Sequence, residues 1–214
     1  WYERTFSVPS AWSDKNILLH FGAVDWKADV FLNDIKIGSH KGGFSAFSFD
    51  ITPYLKSGQQ KLVVRVWDPT TDGHQPVGKQ RTKPEGIWYT PVTGIWQTVW
   101  LEPVNKKHIA AVYNTPKIDE SKLTVRTKTE GTQQGDVISV VMKDGNKIVA
   151  KGKAIAGQEV ELFIQTQKLW TPDSPFLYDL EISLLSGGKT VDVVKSYSAM
   201  RKISSVRDGA GVWR

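Results

Sequence analysis

From Ile95 the side chains alternate for eight residues, with Ile95, Gln97, Val99 and Leu101 on one side and Trp96, Thr98, Trp100 and Glu102 on the other. That is the period of a β-strand. Large apolar groups occur on both sides, so the strand is expected to need cover beyond its own core, from a long loop or a neighbouring domain. Shorter alternating runs precede it at residues 4–8, 16–21, 28–32, 35–38, 44–49 and 62–67. Asn33-Asp34 between two of them suits a tight hairpin. Helix signals are nearly absent. The run Asp50-Ile51-Thr52-Pro53-Tyr54-Leu55 predicts one helical turn, capped by Asp50 or Thr52 and ended by Gly58. Residues 1–104 therefore read as a sandwich or jelly roll.

Between Asp68 and Gly94 lies a long segment rich in Pro, Gly, Thr and charge, a length that in compact domains belongs to functional or disordered loops. Ile87, Trp88 and Tyr89 favour an ordered, packed loop. Residues 105–107 read as a linker after Pro103. From 108 to 203, strands are expected to start at Ile109, Leu123, Val137, Lys147, Glu159, Tyr178 and Thr190, the spacing of an immunoglobulin-like sandwich. Asp144-Gly145 and Gly187-Gly188 suit type I′ turns. Val125, Val141, Leu162, Trp170 and Leu180 are the expected core. Between Leu169 and Tyr178, Pro172 and Pro175 bracket a turn with aromatic groups at each end.

The 214 residues can bury a sizeable core without metal or disulfides, and cysteine is absent. That excludes a cystine framework and thiolate zinc, and leaves the compartment open, with periplasmic or secreted favoured over cytoplasmic. The net charge of +6 raises nucleic acid as a partner. Scattered lysines argue against it, because Lys106-Lys107 and Arg201-Lys202 are the only adjacent basic pairs and no aromatic-interleaved stripe accompanies them. No transmembrane run or signal peptide is present, and both ends fall abruptly inside strand-like sequence, as in a piece of a longer polypeptide.

Chemistry is sparse. His20, His40, His74 and His108 show no metal-ligand spacing, and no nucleophile elbow, phosphate loop or dinucleotide fingerprint occurs. No catalytic residue, metal or cofactor is expected. Asp25, between Val24 and Trp26, reads either as an Asx-type turn or as a polar group presented to a sugar hydroxyl. Trp26, Trp67 and Trp88 are either core groups or platforms for the apolar face of a sugar.

One likeness sharpens these alternatives. The runs Trp1 to Pro9, Phe21-Gly22-Ala23-Val24-Asp25-Trp26, Val30-Phe31-Leu32-Asn33, Gly42-Gly43-Phe44 through Thr52, Thr93-Gly94-Ile95-Trp96 and Val99-Trp100-Leu101-Glu102 resemble the N-terminal sugar-binding-type jelly roll of glycoside hydrolase family 2. Leu169-Trp170 with Pro172, Pro175, Leu177 and Tyr178, then Ser196-Tyr197 and Met200-Arg201-Lys202-Ile203, are similar to that family's immunoglobulin-like domain. The resemblance implies an all-β pair of sandwiches, a jelly roll over 1–104 and an immunoglobulin-like domain over 108–203, with 204–214 starting the connection to a TIM barrel. In the family that barrel carries the two glutamates of a retaining mechanism. The implied whole is a retaining β-glycosidase, a β-galactosidase first, with this piece inert by itself. The implied partners are the barrel and a β-linked glycan, and a homo-oligomer is compatible. Asp25 matches a position at the mouth of the family's active site where β-galactosidase carries asparagine, which leaves the sugar open. Lys79, in the loop with Trp88, would lie near a sugar hydroxyl or carboxylate, or else is a solvated charge. Other readings of the chain are an autonomous carbohydrate-binding module and a purely structural β-sandwich protein.

Overall fold

The computed structural model describes residues 1–213. Contacts divide the chain into two units, Trp1–Val104 and a second beginning at Asn105. Each is a β-sandwich.

In the first unit the strands are β1 (Tyr2–Ser7), β2 (Asn16–Phe21), β3 (Val24–Asp25), β4 (Lys27–Leu32), β5 (Ile35–Lys41), β6 (Phe47–Asp50), β7 (Gln59–Trp67), β8 (Gly94–Ile95) and β9 (Val99–Val104). They form a four-stranded sheet ordered β1-β7-β4-β5, a three-stranded sheet ordered β6-β2-β9, and a two-stranded ladder of β3 and β8. All pairings are antiparallel. Alternation decides the core: Ile17, Leu19 and Phe21 of β2 face Ala28, Val30 and Leu32 of β4 and Leu62 and Val64 of β7, all buried.

The hairpin joining β4 to β5 turns through Asn33 (φ 51°) and Asp34 (φ 67°), the pair of positive φ values that a type I′ turn requires. The expected helical turn is a 3₁₀ turn over Thr52–Tyr54. The Asp50 carboxylate accepts the Thr52 N–H at 2.9 Å, while the Thr52 hydroxyl accepts the Ile17 N–H at 2.8 Å. The turn ends at Tyr54, before Gly58.

The closing strand is interrupted. Pairing stops after Ile95 and resumes at Val99, and the intervening Thr98 carbonyl accepts the Gly22 N–H at 2.8 Å. Gln97 is consequently exposed, and the apolar faces of Trp96 and Trp100 stay half open to solvent within this unit, Trp100 stacking on His20 at 4.8 Å.

In the second unit the strands are β10 (His108–Lys117), β11 (Lys122–Glu130), β12 (Val137–Asp144), β13 (Lys147–Ile155), β14 (Val160–Phe163), β15 (Tyr178–Ser186) and β16 (Lys189–Ser198). Sheets ordered β10-β11-β14 and β13-β12-β15-β16 enclose Leu123, Val125, Ile138, Val140, Met142, Leu162, Leu180, Ile182 and Leu184. Val141 lies on the outer face of β12, because its neighbours Val140 and Met142 point inward and successive side chains alternate. Trp170 is also outside the core, its ring 4.4 Å beneath the Arg201 guanidinium. Gly187 and Gly188 turn with φ 56° and 77° as a type I′ hairpin needs. The β12–β13 turn is centred one residue later than expected, on Gly145-Asn146, and only Gly145 has positive φ, which excludes type I′.

The residues expected as a linker are tied into the second unit. Asn105 Nδ2 donates to the Val191 carbonyl at 2.8 Å, and Lys107 Nζ meets Asp136 at 2.9 Å and the Ser186 hydroxyl at 2.7 Å. Asp136 is buried and also accepts the Gln133 N–H at 2.8 Å. The hydrogen bonds from Gln133, Ser186 and Lys107 hold its carboxyl down at about 2. A depressed folded-state pKa adds stability above the unfolded value and loses it as pH falls through the folded value. The second unit is therefore expected to lose stability between about pH 4 and pH 2. Asp136→Asn, which cannot titrate, should flatten that window in acid unfolding followed by circular dichroism; an unchanged acid transition would remove Asp136 from the account.

Candidate functional site

The β3–β8 ladder, only two residues wide, pairs Asp25 with Gly94 and Val24 with Ile95. It brings Asp25 against residues far away in sequence. Asp25, Phe44, Gln80, Thr93 and Trp96 line a cleft of about 270 Å³ at one end of the first sandwich. The indole of Trp96 is fixed by its Nε1–H, which donates to the Gly43 carbonyl at 2.7 Å, and Phe44 meets it edge-on at 5.8 Å. Gly43 has no room for a side chain: a Cβ would stand 2.6 Å from Asp25 Oδ1. Glycine at 43 is thus what lets the carboxylate lie along this backbone.

Asp25 is half-buried, and its carboxylate accepts no hydrogen bond among the described residues. Burial raises its pKa above the ordinary carboxylate range, and the charge of Asp68 raises it further. Asp68 is itself held by the Thr70 N–H at 2.8 Å and the Thr93 hydroxyl at 2.9 Å. Gln80 Oε1 accepts the Val92 N–H at 2.6 Å, which pins the side chain at the rim. The cleft thus offers an unpartnered acceptor beside two aromatic walls, a combination suited to holding a polar ring with one apolar face.

The other site residues expected from sequence lie elsewhere. The Asp25–Trp26 peptide is cis, and Trp26 lines a different cavity with Lys41 and Trp67. Lys79 is exposed, its ammonium 5.5 Å from the Tyr89 ring, and does not line the Asp25 cleft. Trp88 is likewise outside it, covered on one face by the Arg81 guanidinium at 3.8 Å. Backbone hydrogen bonds add to these ring contacts in the loop: Tyr89 N–H donates to the Lys79 carbonyl at 2.8 Å and Arg81 N–H to the Tyr89 carbonyl at 3.0 Å, while Ile87 and Tyr89 remain exposed. Phe44, Gln80 and Trp96 were not singled out as site residues by sequence reasoning. The signal available was Gly42-Gly43, a close backbone approach next to an aromatic.

Residues 1–96 match the description glycosyl hydrolase 2 galactose-binding domain-like, and residues 107–201 match glycosyl hydrolases family 2. The chain belongs to glycoside hydrolase family 2. It is 28% identical to a β-galactosidase of Thermoanaerobacter pseudethanolicus, over 98% of this chain and 29% of that protein. With a β-glucuronidase of Bacteroides fragilis it shares 27% identity over 94% of this chain and 31% of that protein. A β-glucuronidase from Ruminococcus gnavus, solved in complex with D-glucaro-d-lactam, superposes with a TM-score of 0.80 at 23% identity, over 97% of this chain and 37% of that one. A β-glycosidase from Bacteroides vulgatus gives 0.76 at 24% identity, over 95% and 26%. These two likenesses establish the fold. The chain spans 26% to 37% of the length of these four relatives.

Proposed function

We propose that this chain is the non-catalytic N-terminal part of a retaining β-glycosidase acting on a neutral β-linked glycan, a β-galactoside first. Its first sandwich lends one wall of the sugar pocket. The observation that carries the reading is the unpartnered Asp25 carboxylate between Phe44, Trp96 and Gln80. Family membership and the partial coverage of longer β-galactosidases and β-glucuronidases support a catalytic barrel in the same polypeptide.

Charge favours galactoside over glucuronide at this wall. Asp25 and Asp68 make the cleft acidic, so a uronate carboxylate would be repelled, whereas a sugar hydroxyl can donate to Asp25. The cleft is slightly smaller than the ~300–1,000 Å³ usual for small-molecule sites, consistent with one sugar ring. Lys79 and Trp88 lie outside the cleft, and this reading of the wall rests on Asp25, Phe44, Gln80 and Trp96.

Calorimetric and NMR titration of the chain with galactose, glucuronic acid and a β-linked galacto-oligosaccharide tests the reading. One wall alone holds a sugar weakly, so galactose should bind with Kd no tighter than about 10 mM, weakened further by Asp25→Ala, whereas submillimolar binding by the chain alone would mark an autonomous carbohydrate-binding module instead. Binding should strengthen as pH rises through the Asp25 titration. Glucuronate binding tighter than galactose, or an Asp25→Ala variant that binds like the wild type, would overturn it. The chain alone should hydrolyse no aryl β-galactoside.

A further inference from the structure

The second cavity of the first unit, on the far side of the Asp25–Trp26 step, has the makings of a site of its own. It measures about 290 Å³ and is lined by Trp26, Lys41, Trp67, Asp72, His74 and Gln75. Trp67 ends β7 and leaves 52% of its surface exposed, although it is a large apolar side chain. Trp26 serves as a wall, since Lys41 Nζ already lies 5.7 Å from its ring centroid. Of the two indoles Trp67 is the more exposed, and it offers the larger open surface.

Gln75 supplies the second feature. It is only 8% exposed, and its amide nitrogen donates to the Thr70 carbonyl at 2.9 Å and the Asp72 carbonyl at 3.4 Å. These bonds fix which way the amide points. Its Oε1 accepts no hydrogen bond from the described residues and is open to solvent, not among the chain's buried unpartnered polar atoms, so it is free to accept a hydroxyl hydrogen from a ligand. Gly73 keeps that oxygen accessible, since a Cβ there would stand 2.5 Å from it. The rim carries one ammonium, Lys41, and one carboxylate, Asp72, so the fixed charges cancel.

We propose that this cavity is a second saccharide site, separate from the Asp25 cleft, which takes one neutral pyranose ring of an oligosaccharide. The ring lays its C–H face on Trp67 and donates a hydroxyl hydrogen to Gln75 Oε1. Asp72 and Lys41 meet further hydroxyls as acceptor and donor. A flat indole recognises a ring with an apolar face, a fixed acceptor recognises a hydroxyl, and a rim of balanced charge gives no preference to an ion. The two cavities have no lining residue in common, although a chain of hydrogen bonds runs between them. Asp68 accepts from Thr93 beside the Asp25 cleft and from Thr70, whose carbonyl in turn receives the Gln75 amide.

The inference does not depend on the function proposed for Asp25, and separate variants keep the two apart. The indole Nε1–H resonance of Trp67, assigned by its loss in Trp67→Ala, is followed while the chain is titrated with galactotetraose and cellotetraose to about 10 mM. At least one sugar should shift it saturably. Trp67→Ala should weaken that binding about tenfold, Trp67→Phe should fall between, and Asp25→Ala should leave it unchanged. Wild-type chain whose Trp67 resonance stays fixed with both sugars would overturn the proposal. So would a shift abolished by Asp25→Ala, because the two cavities would then be one site.

Discussion

Gly94→Ala should destabilise the first sandwich by about 3 kcal/mol, the sum of a strained backbone and a displaced side chain. Gly94 is buried and has φ +125°, a conformation that residues with a Cβ rarely adopt. A Cβ at this position would overlap the Tyr2 hydroxyl oxygen, which accepts the Ile95 N–H at 3.3 Å. The change therefore pushes Tyr2 of β1 out of place, removes that hydrogen bond, and bends the backbone paired with Asp25. For a unit of this size the Tm of the first transition should fall by roughly 12 °C or more. Adding Tyr2→Ala separates the two causes. It removes the overlap, so the double variant should be less unstable than the two single changes summed, while the backbone cost stays. Calorimetry that finds strict additivity would show that Tyr2 and position 94 do not meet.

Much of this architecture was legible because the physics that sets it is local. Alternation located β2 and all seven strands of the second unit within a residue or so at their starts, and Asn33-Asp34 and Gly187-Gly188 announced their turns through tolerance of positive φ. Errors arose where a second strand decides. Val141 is as apolar as Val140, and only pairing against β13 and β15 settles which of them faces inward. The run from Ile95 to Glu102 has the right period, yet the approach of Gly22 breaks it, since a Cβ on Gly22 would stand 2.7 Å from that of Gln97.

The site divides in the same way. Asp25 is visible through its setting and through family likeness, whereas Trp96 and Gln80 join it only across 50 or more residues, and Phe44, 19 residues on, through the close approach of Gly43. Trp26 is read from sequence, with Trp67 and Trp88, as either a core group or a platform for a sugar. Trp26 lies between β3 and β4 and lines a different cavity from Asp25, one that it shares with Trp67. Lys79, expected near a sugar through the family likeness of its loop, stands beside Tyr89, while its neighbour Gln80, bridged in parallel to Tyr89, reaches the cleft.

Asn33→Ala should cost about 3 kcal/mol, and comparison with Asn33→Gly should divide that into backbone and side-chain parts. At φ 51° asparagine is tolerated where alanine is penalised by roughly 1 kcal/mol. Its side chain then joins three segments. Nδ2 donates to the Tyr54 carbonyl at 3.0 Å and to Gln60 Oε1 at 2.8 Å, and Oδ1 accepts the Lys61 N–H at 3.0 Å. Gln60 is almost fully buried and passes the network on, donating to the Lys56 and Gly58 carbonyls at 2.7 and 2.8 Å. The β4–β5 turn is thereby clamped to the 3₁₀ turn and to the start of β7, which explains why it needs asparagine rather than any turn residue. Glycine keeps the backbone and loses the clamp, so Asn33→Gly should cost about 2 kcal/mol, leaving alanine about 1 kcal/mol worse. Urea unfolding of the three proteins measures the order. If glycine matches wild type, the hydrogen bonds add nothing beyond what water supplies, and if alanine matches glycine, the left-handed backbone is not what selects the residue.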